Sequence, residues 1–165
     1  MTDPAPTYDP EPMLRTLRKH DVRFVVIGGF AANYHGSPHL TFDLDITPER
    51  SDENLARLWS ALTELGAKVR ARGVEPLPFR HDARSLGAVD VWNLITPFGD
   101  LDISFVPAGT SGYADLHRDA LQADALGVRV ELASLADVVR SKEAADRPKD
   151  HVTLPTLRRI LDEQT

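Results

Sequence analysis

Two aspartates separated by one residue, Asp43 and Asp45, sit in the apolar run Phe42-Asp43-Leu44-Asp45-Ile46. In an extended strand, residues i and i+2 point the same way, so the two carboxylates share a face. Phe42, Leu44 and Ile46 then turn to the opposite face and reach the core. Aspartate is a poor strand former and two like charges this close repel, so a hard divalent cation with oxygen ligands is the natural compensation. Taken alone, a D-x-D pair fits a solvated edge strand more readily. The residues upstream change that balance. Arg23-Phe24-Val25-Val26-Ile27 is a run of β-formers stopped by Gly28-Gly29. A buried strand that ends in two glycines and feeds a helix presents free N–H groups and the positive helix end to a phosphate. A plain tight turn is the competing reading. A third acidic element follows at Gly99-Asp100-Leu101-Asp102-Ile103. Asp100 reads as a turn residue, whereas Asp102 lies between apolar neighbours inside a strand.

The C-terminal part carries further candidates. Ser134 and Asp137 open a helix as a cap, and Leu135, Val138, Val139 and Lys142 fall on one stripe of it. Lys142 either packs its stem and frees its ammonium, or aims that ammonium at triphosphate oxygens. Asp150 is in step with Leu154, Leu157 and Leu161. Facing inward, it orients Lys142 or Arg147 or joins the site, with a structural ion pair as the bland competitor. His35 and His39 lack the spacing of a helical zinc pair and read as loop residues. Between 67 and 84, Lys68, Arg70, Arg72, Arg80 and Arg84 outnumber Glu75 and Asp82. That excess is a solvated face or a guide for a phosphate-rich acceptor such as RNA.

The elements that must position these groups follow from periodicity and punctuation. Residues 13–20 read as a short amphipathic helix, 23–27 as a strand, 30–34 as a helix and 40–47 as a second strand. Ser51 and two acids open a helix with the stripe Leu55, Leu58, Trp59, Leu62 and Leu65. Residues 68–84 read as irregular. Strands at 89–96 and 101–106 are joined by a hairpin at 97–100. A loop, a short helix and a strand at 128–132 precede two C-terminal helical segments, with Pro148 and Pro155 marking their joints. Hairpin and strand–helix–strand units together predict an α/β (α+β) fold: a mixed sheet flanked by helices, with C-terminal helices.

The chain has 165 residues, 42% of them hydrophobic, which suits one core. The expected organisation is a flexible lead-in over 1–10 and a single domain over 11–165. A net charge of -6 argues against a protein coated in basic surface for nucleic acid. The absence of cysteine excludes disulfides, thiolate zinc sites, iron–sulfur clusters and cysteine nucleophiles. No apolar run approaches a membrane span and the N-terminus does not resemble a signal peptide, so the expected location is cytoplasmic.

The segment VVIGGFAANYHGSPHLTFDLDI resembles the core signature of DNA-polymerase-β-like nucleotidyltransferases, a hydrophobic residue and two glycines followed by D-h-D-h. Thirteen residues separate Gly29 from Asp43, and Asp102 matches the family's third carboxylate. The tail SLADVVRSKEAADRPKDHVTL is similar to that of toxin-type, AbiE-like abortive-infection nucleotidyltransferases, in which a helix lysine precedes an R-x-K-D-like element. The two matches span roughly 22–105 and 130–160. This resemblance implies a minimal nucleotidyltransferase fold and transfer of a nucleoside monophosphate from an NTP to an acceptor hydroxyl. It implies Mg2+, or Mn2+ in its place, on Asp43, Asp45 and Asp102. It also implies that Lys142 and Asp150 act with those three in catalysis, and that Gly28, Gly29, Lys142 and Arg147 bind the phosphates. The implied acceptor is RNA, such as a tRNA end, with a cognate antitoxin as partner, and a protein hydroxyl is an open alternative. A small-molecule (antibiotic) transferase and a non-catalytic nucleotide-binding or protein-interaction module of the same fold remain the alternatives.

Overall fold

The computed structural model describes residues 7–78 and 82–165. Asp9 caps the first helix, α1 (Pro10–Lys19), by accepting from the Glu11 N–H, and Pro10 occupies the first turn, where its missing N–H costs nothing. Strand β1 (Phe24–Ile27) passes directly into α2 (Gly28–Tyr34), so both glycines belong to the helix start. Strand β2 (Asp43–Pro48) leads to α3 (Asp52–Glu64), whose Ser51 cap accepts from the Asn54 N–H. The stretch expected to be irregular contains β3 (Lys68–Val69), β4 (Leu77–Pro78) and the single-turn α4 (Ala83–Leu86). Strands β5 (Val91–Thr96) and β6 (Gly99–Ser104) form the expected hairpin. Then come α5 (Tyr113–Arg118), β7 (Leu121–Ala125), β8 (Val128–Leu132), α6 (Leu135–Ala145) and α7 (Pro148–Glu163).

Among the described residues, the strands form one mixed sheet in the order β4-β3-β5-β6-β2-β1-β8-β7. The parallel contacts are β2 with β6 and β1 with β8, and the rest are antiparallel. One face packs Val26, Leu44, Ile46, Leu101 and Ile103 with residues of α1 and α3. The other face packs Val25 with Ala31, Leu135, Val138, Leu154 and Leu157, beneath α2, α6 and α7. Asp43 and Asp45 project on this second side, as the alternation along β2 requires. No helix among the described residues is long and apolar enough to cross a membrane.

Several expectations change. Phe42 does not reach the core: it is 70% exposed, because β2 begins only at Asp43 and the preceding chain is not held to the strand's alternation. Leu44 and Ile46 are fully buried, as expected. Asp100 lies inside β6 rather than in the turn, since Thr96 pairs directly with Gly99. The strand β7 is an addition. It folds back on β8 through Leu126 and Gly127, both at positive φ, the conformation a two-residue hairpin turn demands. Pro155 does not mark a joint. It sits inside α7 on the exposed side, while the buried stripe Leu154–Leu157 holds the helix across the missing N–H. Of the expected lead-in, residues 1–6 lie outside the described residues, while the Asp9 N–H donates to the Phe98 carbonyl at 2.8 Å. Arg80 also lies outside the described residues.

The two sides of β2 and β6 therefore respond differently to truncation. Leu101→Ala, emptying a fully buried position, is expected to cost about 2–5 kcal/mol in urea unfolding. Phe42→Ala is expected to stay within about 0.5 kcal/mol of wild type; a cost near that of Leu101→Ala would mean that Phe42 is buried after all.

Candidate active site

The parallel pairing of β2 with β6 decides the site. Its register sets Asp43 opposite Asp100 and Asp45 opposite Asp102, so two same-face pairs become a two-by-two array of carboxylates. Asp43, Asp45 and Asp102 each offer an oxygen within 4.8 Å of the others. Asp100 stands outside that cluster.

Three like charges this close are held together only at a cost. Burial, then the charges of Asp43 and Asp102, push the Asp45 carboxyl up from 3.8 to about 7, against the opposing pull of Lys149 and Arg147. Burial also raises Asp102, to about 6, although the nearby Arg70 guanidinium works the other way. Such a set fits a hard divalent cation, which replaces the missing solvation and cancels the repulsion.

Gly28 serves this cluster by being small. A Cβ at its position would lie 2.2 Å from Oδ2 of Asp45, and its φ of +67° disfavours any other residue. A Cβ on Gly29 would meet the Thr41 side chain at 2.8 Å, and the Thr41 hydroxyl is 3.1 Å from Oδ1 of Asp43. Both glycines line the same cavity as the carboxylates. Their steric duty toward the aspartates was not visible from the strand–helix pattern that suggested a phosphate cradle.

The C-terminal helices close the opposite wall. Ser134 accepts from the Asp137 N–H, the expected cap, and α6 buries Leu135, Val138 and Val139. Lys142, on the same stripe, reaches the cavity with only 13% of its side chain exposed. Asp150 is fully buried and does not line the cavity. Arg147 Nε donates to its Oδ2 at 2.8 Å, the Arg147 backbone N–H to the same oxygen at 3.1 Å, and Lys142 Nζ lies 3.5 Å from its Oδ1. Burial opposes ionisation of Asp150, but these Arg147 hydrogen bonds outweigh it and hold the carboxyl below its ordinary value. Asp150 is thus the pivot from which two cations extend. A direct encounter with the carboxylate cluster is not what the packing produces.

The cavity between these walls has a volume of about 740 Å³. It brings together Gly28, Gly29, Asp43, Asp45, Asp102, Lys142 and Arg147, leaving Asp150 behind the wall. It adds residues that sequence reasoning assigned elsewhere or passed over. Lys149 lines it and acts on Asp45; its place beside Arg147 in the tail motif was the available signal. His39, read as a loop residue, also lines it, whereas His35 does not and has its Nε2 2.9 Å from the Ala133 carbonyl. Arg70, read as part of a basic face, bonds Asp100 at 2.8 Å and Asp102 at 3.0 Å. Its position just after a two-residue strand left no sequence signal.

The raised carboxyl of Asp45 makes stability depend on pH in a definite direction. A group whose folded pKa lies above its unfolded value favours the folded state below the unfolded pKa and loses that contribution as pH rises through the folded one. The metal-free protein is therefore expected to lose melting temperature between about pH 4 and pH 7 on account of this cluster. Asp45→Asn should flatten that slope and raise Tm at pH 8 by roughly 2–4 °C per kcal/mol of repulsion relieved. Thermal melts in EDTA check it, and parallel profiles for the two proteins would remove the electrostatic account.

No protein-family model matches the sequence, and no curated protein matches it. Solved structures do match in fold. TM1012 from Thermotoga maritima, assigned as a nucleotidyltransferase, aligns over 93% of this chain and 90% of its own, with a TM-score of 0.55 and 18% identity. The lincosamide antibiotic adenylyltransferase LnuA, solved with lincomycin, aligns over 93% of this chain and 99% of its own, with a TM-score of 0.61 and 13% identity. ANT(2'')-Ia, solved with adenylyl-2''-tobramycin, aligns over 89% and 83%, with a TM-score of 0.57 and 16% identity. The mixed sheet and its flanking helices are thus the architecture these nucleotidyltransferases share.

Proposed function

We propose that the protein is a metal-dependent nucleotidyltransferase that moves a nucleoside monophosphate from an NTP to an acceptor hydroxyl. The observation that carries this reading is the facing of two opposite charge sets across one cavity. Asp43, Asp45 and Asp102 lie on the sheet side, and Lys142, Arg147 and Lys149 on the helix side. A triphosphate needs both, cations for its oxygens and a place for its counter-ion.

In this reading Asp43, Asp45 and Asp102 hold Mg2+, or Mn2+, which when bound supplies charge neutralisation at the phosphoryl oxygens. Lys142, Arg147 and Lys149 hold the β- and γ-phosphate end, with Asp150 fixing the first two. Gly28 and Gly29 bring backbone N–H groups to the same cavity. Asp102, beside the cation, takes the proton of the acceptor hydroxyl. The acceptor oxygen bonds to the α-phosphorus as the α–β phosphoanhydride bond breaks, and pyrophosphate leaves. Positioning and charge account for most of the acceleration.

Two acceptor classes have support. The tail similarity to toxin-type enzymes favours RNA, such as a tRNA end, with a cognate antitoxin as regulator. The molecules bound to LnuA and ANT(2'')-Ia, lincomycin and adenylyl-2''-tobramycin, favour an antibiotic-like small molecule and an adenylyl donor, as does a cavity of about 740 Å³. The small-molecule class is the stronger of the two here, because Arg70, one of the five basic residues of that stretch, is spent on Asp100 and Asp102.

Incubation with each α-labelled NTP, Mg2+, and either total RNA or a panel of hydroxylated antibiotics tests the proposal. Labelled product is expected with one acceptor class, and Asp43→Ala, Asp45→Ala and Asp102→Ala should each reduce it to background. Full transfer by any of the three would sink the mechanism, and nucleotide binding without transfer by wild type would favour the non-catalytic module. Lys142→Ala should lower kcat/KM for the NTP about 10- to 100-fold, the worth of one charge-assisted hydrogen bond.

A further inference from the structure

Arg70 is the residue whose position the proposed mechanism does not explain. It follows directly after β3, and its backbone N–H donates to the Asn93 carbonyl at 2.9 Å. Asn93 pairs with Asp102 across β5 and β6, so the arginine starts level with the third carboxylate. Its guanidinium then forks: Nη1 lies 2.8 Å from Oδ2 of Asp100 and Nη2 lies 3.0 Å from Oδ1 of Asp102. Nη1 also lies 3.4 Å from the Leu94 carbonyl. The side chain is thus tied at its root to one strand and at its tip to two carboxylates of the next.

We propose that Arg70 is a positioning residue: braced on Asp100, it fixes the Asp102 carboxylate in the orientation that binds a divalent cation. This rests on the reading that Asp43, Asp45 and Asp102 hold such a cation. Asp102 is met on one side by Asp43, which hydrogen-bonds it while a proton is shared and repels it once both are charged, and on the other by the guanidinium. Left to repulsion alone, the carboxylate would rotate out of the cluster. Asp100 is in register with Asp43 but lies outside the three-carboxylate cluster, and serves as the outer anchor of the fork. A planar guanidinium can hold two separate carboxylates at fixed distance, which the point charge of a lysine cannot. Partners that orient a metal ligand in this way commonly change metal affinity about 10- to 100-fold.

A simple counter-charge predicts the reverse sign. A cation parked beside a metal site repels the metal, so its removal tightens binding. Titration of the nucleotide-free protein with Mn2+, followed by calorimetry and by the EPR signal of free Mn2+, separates the two. Arg70→Gln is expected to weaken Mn2+ binding about 10-fold. Arg70→Lys, which restores the charge without the fork, should weaken it nearly as much, and Asp100→Asn by a smaller factor. Unchanged or tighter binding by Arg70→Gln overturns the proposal, as does full rescue by Arg70→Lys. If Arg70→Gln does not fold, Arg70→Lys and Asp100→Asn decide it, and wild-type affinity in both overturns it. Failure of wild type to bind Mn2+ more tightly than Asp102→Asn would instead remove the metal site on which the inference stands.

Discussion

Everything about this site follows from forcing like charges onto two adjacent strands. The parallel register of β2 and β6 puts Asp45 beside Asp102 and Asp43 beside Asp100, while the alternate positions Leu44, Ile46, Leu101 and Ile103 are fully buried on the other face. The carboxylates cannot drift apart without pulling those four side chains out of the core. Burying each is worth roughly 1.5–3 kcal/mol, so the apolar face holds the acidic face in a strained state. Burial first, and the mutual repulsion after it, raises the carboxyls of Asp45 and Asp102. A folded state that stores repulsion at one point is prepared for a cation there, because binding releases what folding had to overcome.

The rest of the molecule can be understood as support for that point. Gly28 lets the Asp45 carboxylate sit against the backbone. The opposite wall is organised by a second buried acid, Asp150, with the reverse logic. Instead of three acids without enough counter-charge, one acid is shared by Arg147 and Lys142, and its carboxyl is held below the ordinary value. Truncating the acid in a buried pair of this kind strands its cations, which is why such networks persist even where their net contribution to stability is small. The tight connection between α6 and α7, with Asp146 in the left-handed conformation and Pro148 opening the next helix, puts Arg147 within reach of Asp150.

Much of this was legible in the residues themselves. The same-face reading of Asp43 and Asp45, the separate placing of Asp102, the capped helix at Ser134 and the inward stripes that carry Lys142 on one helix and Asp150 on the next follow from periodicity and capping, both local properties. Local reasoning failed where a residue's environment comes from elsewhere in the chain. Phe42 was assigned to the core by extending an alternation one residue beyond the strand that enforces it. Asp100 was assigned to a turn because its tetrapeptide looks like one, although pairing with β2 and β5 draws it into the sheet. Pro155 was taken as a break, yet the burial of Leu154 and Leu157 carries α7 through it.

The sequence by itself determined the alternation, and with it that one face of two strands would be acidic and the other apolar. The packing of distant strands and helices decided the remainder. Only the β2–β6 register brought Asp102 beside the Asp43–Asp45 pair to make one cluster of three. Only the docking of α6 and α7 over that face set cations across from it, and only the β3–β5 pairing delivered Arg70 to Asp102. The physical reason is the range of the information involved. Which way a side chain points is set by its own backbone, whereas which charges become neighbours is set by contacts between segments far apart in the chain.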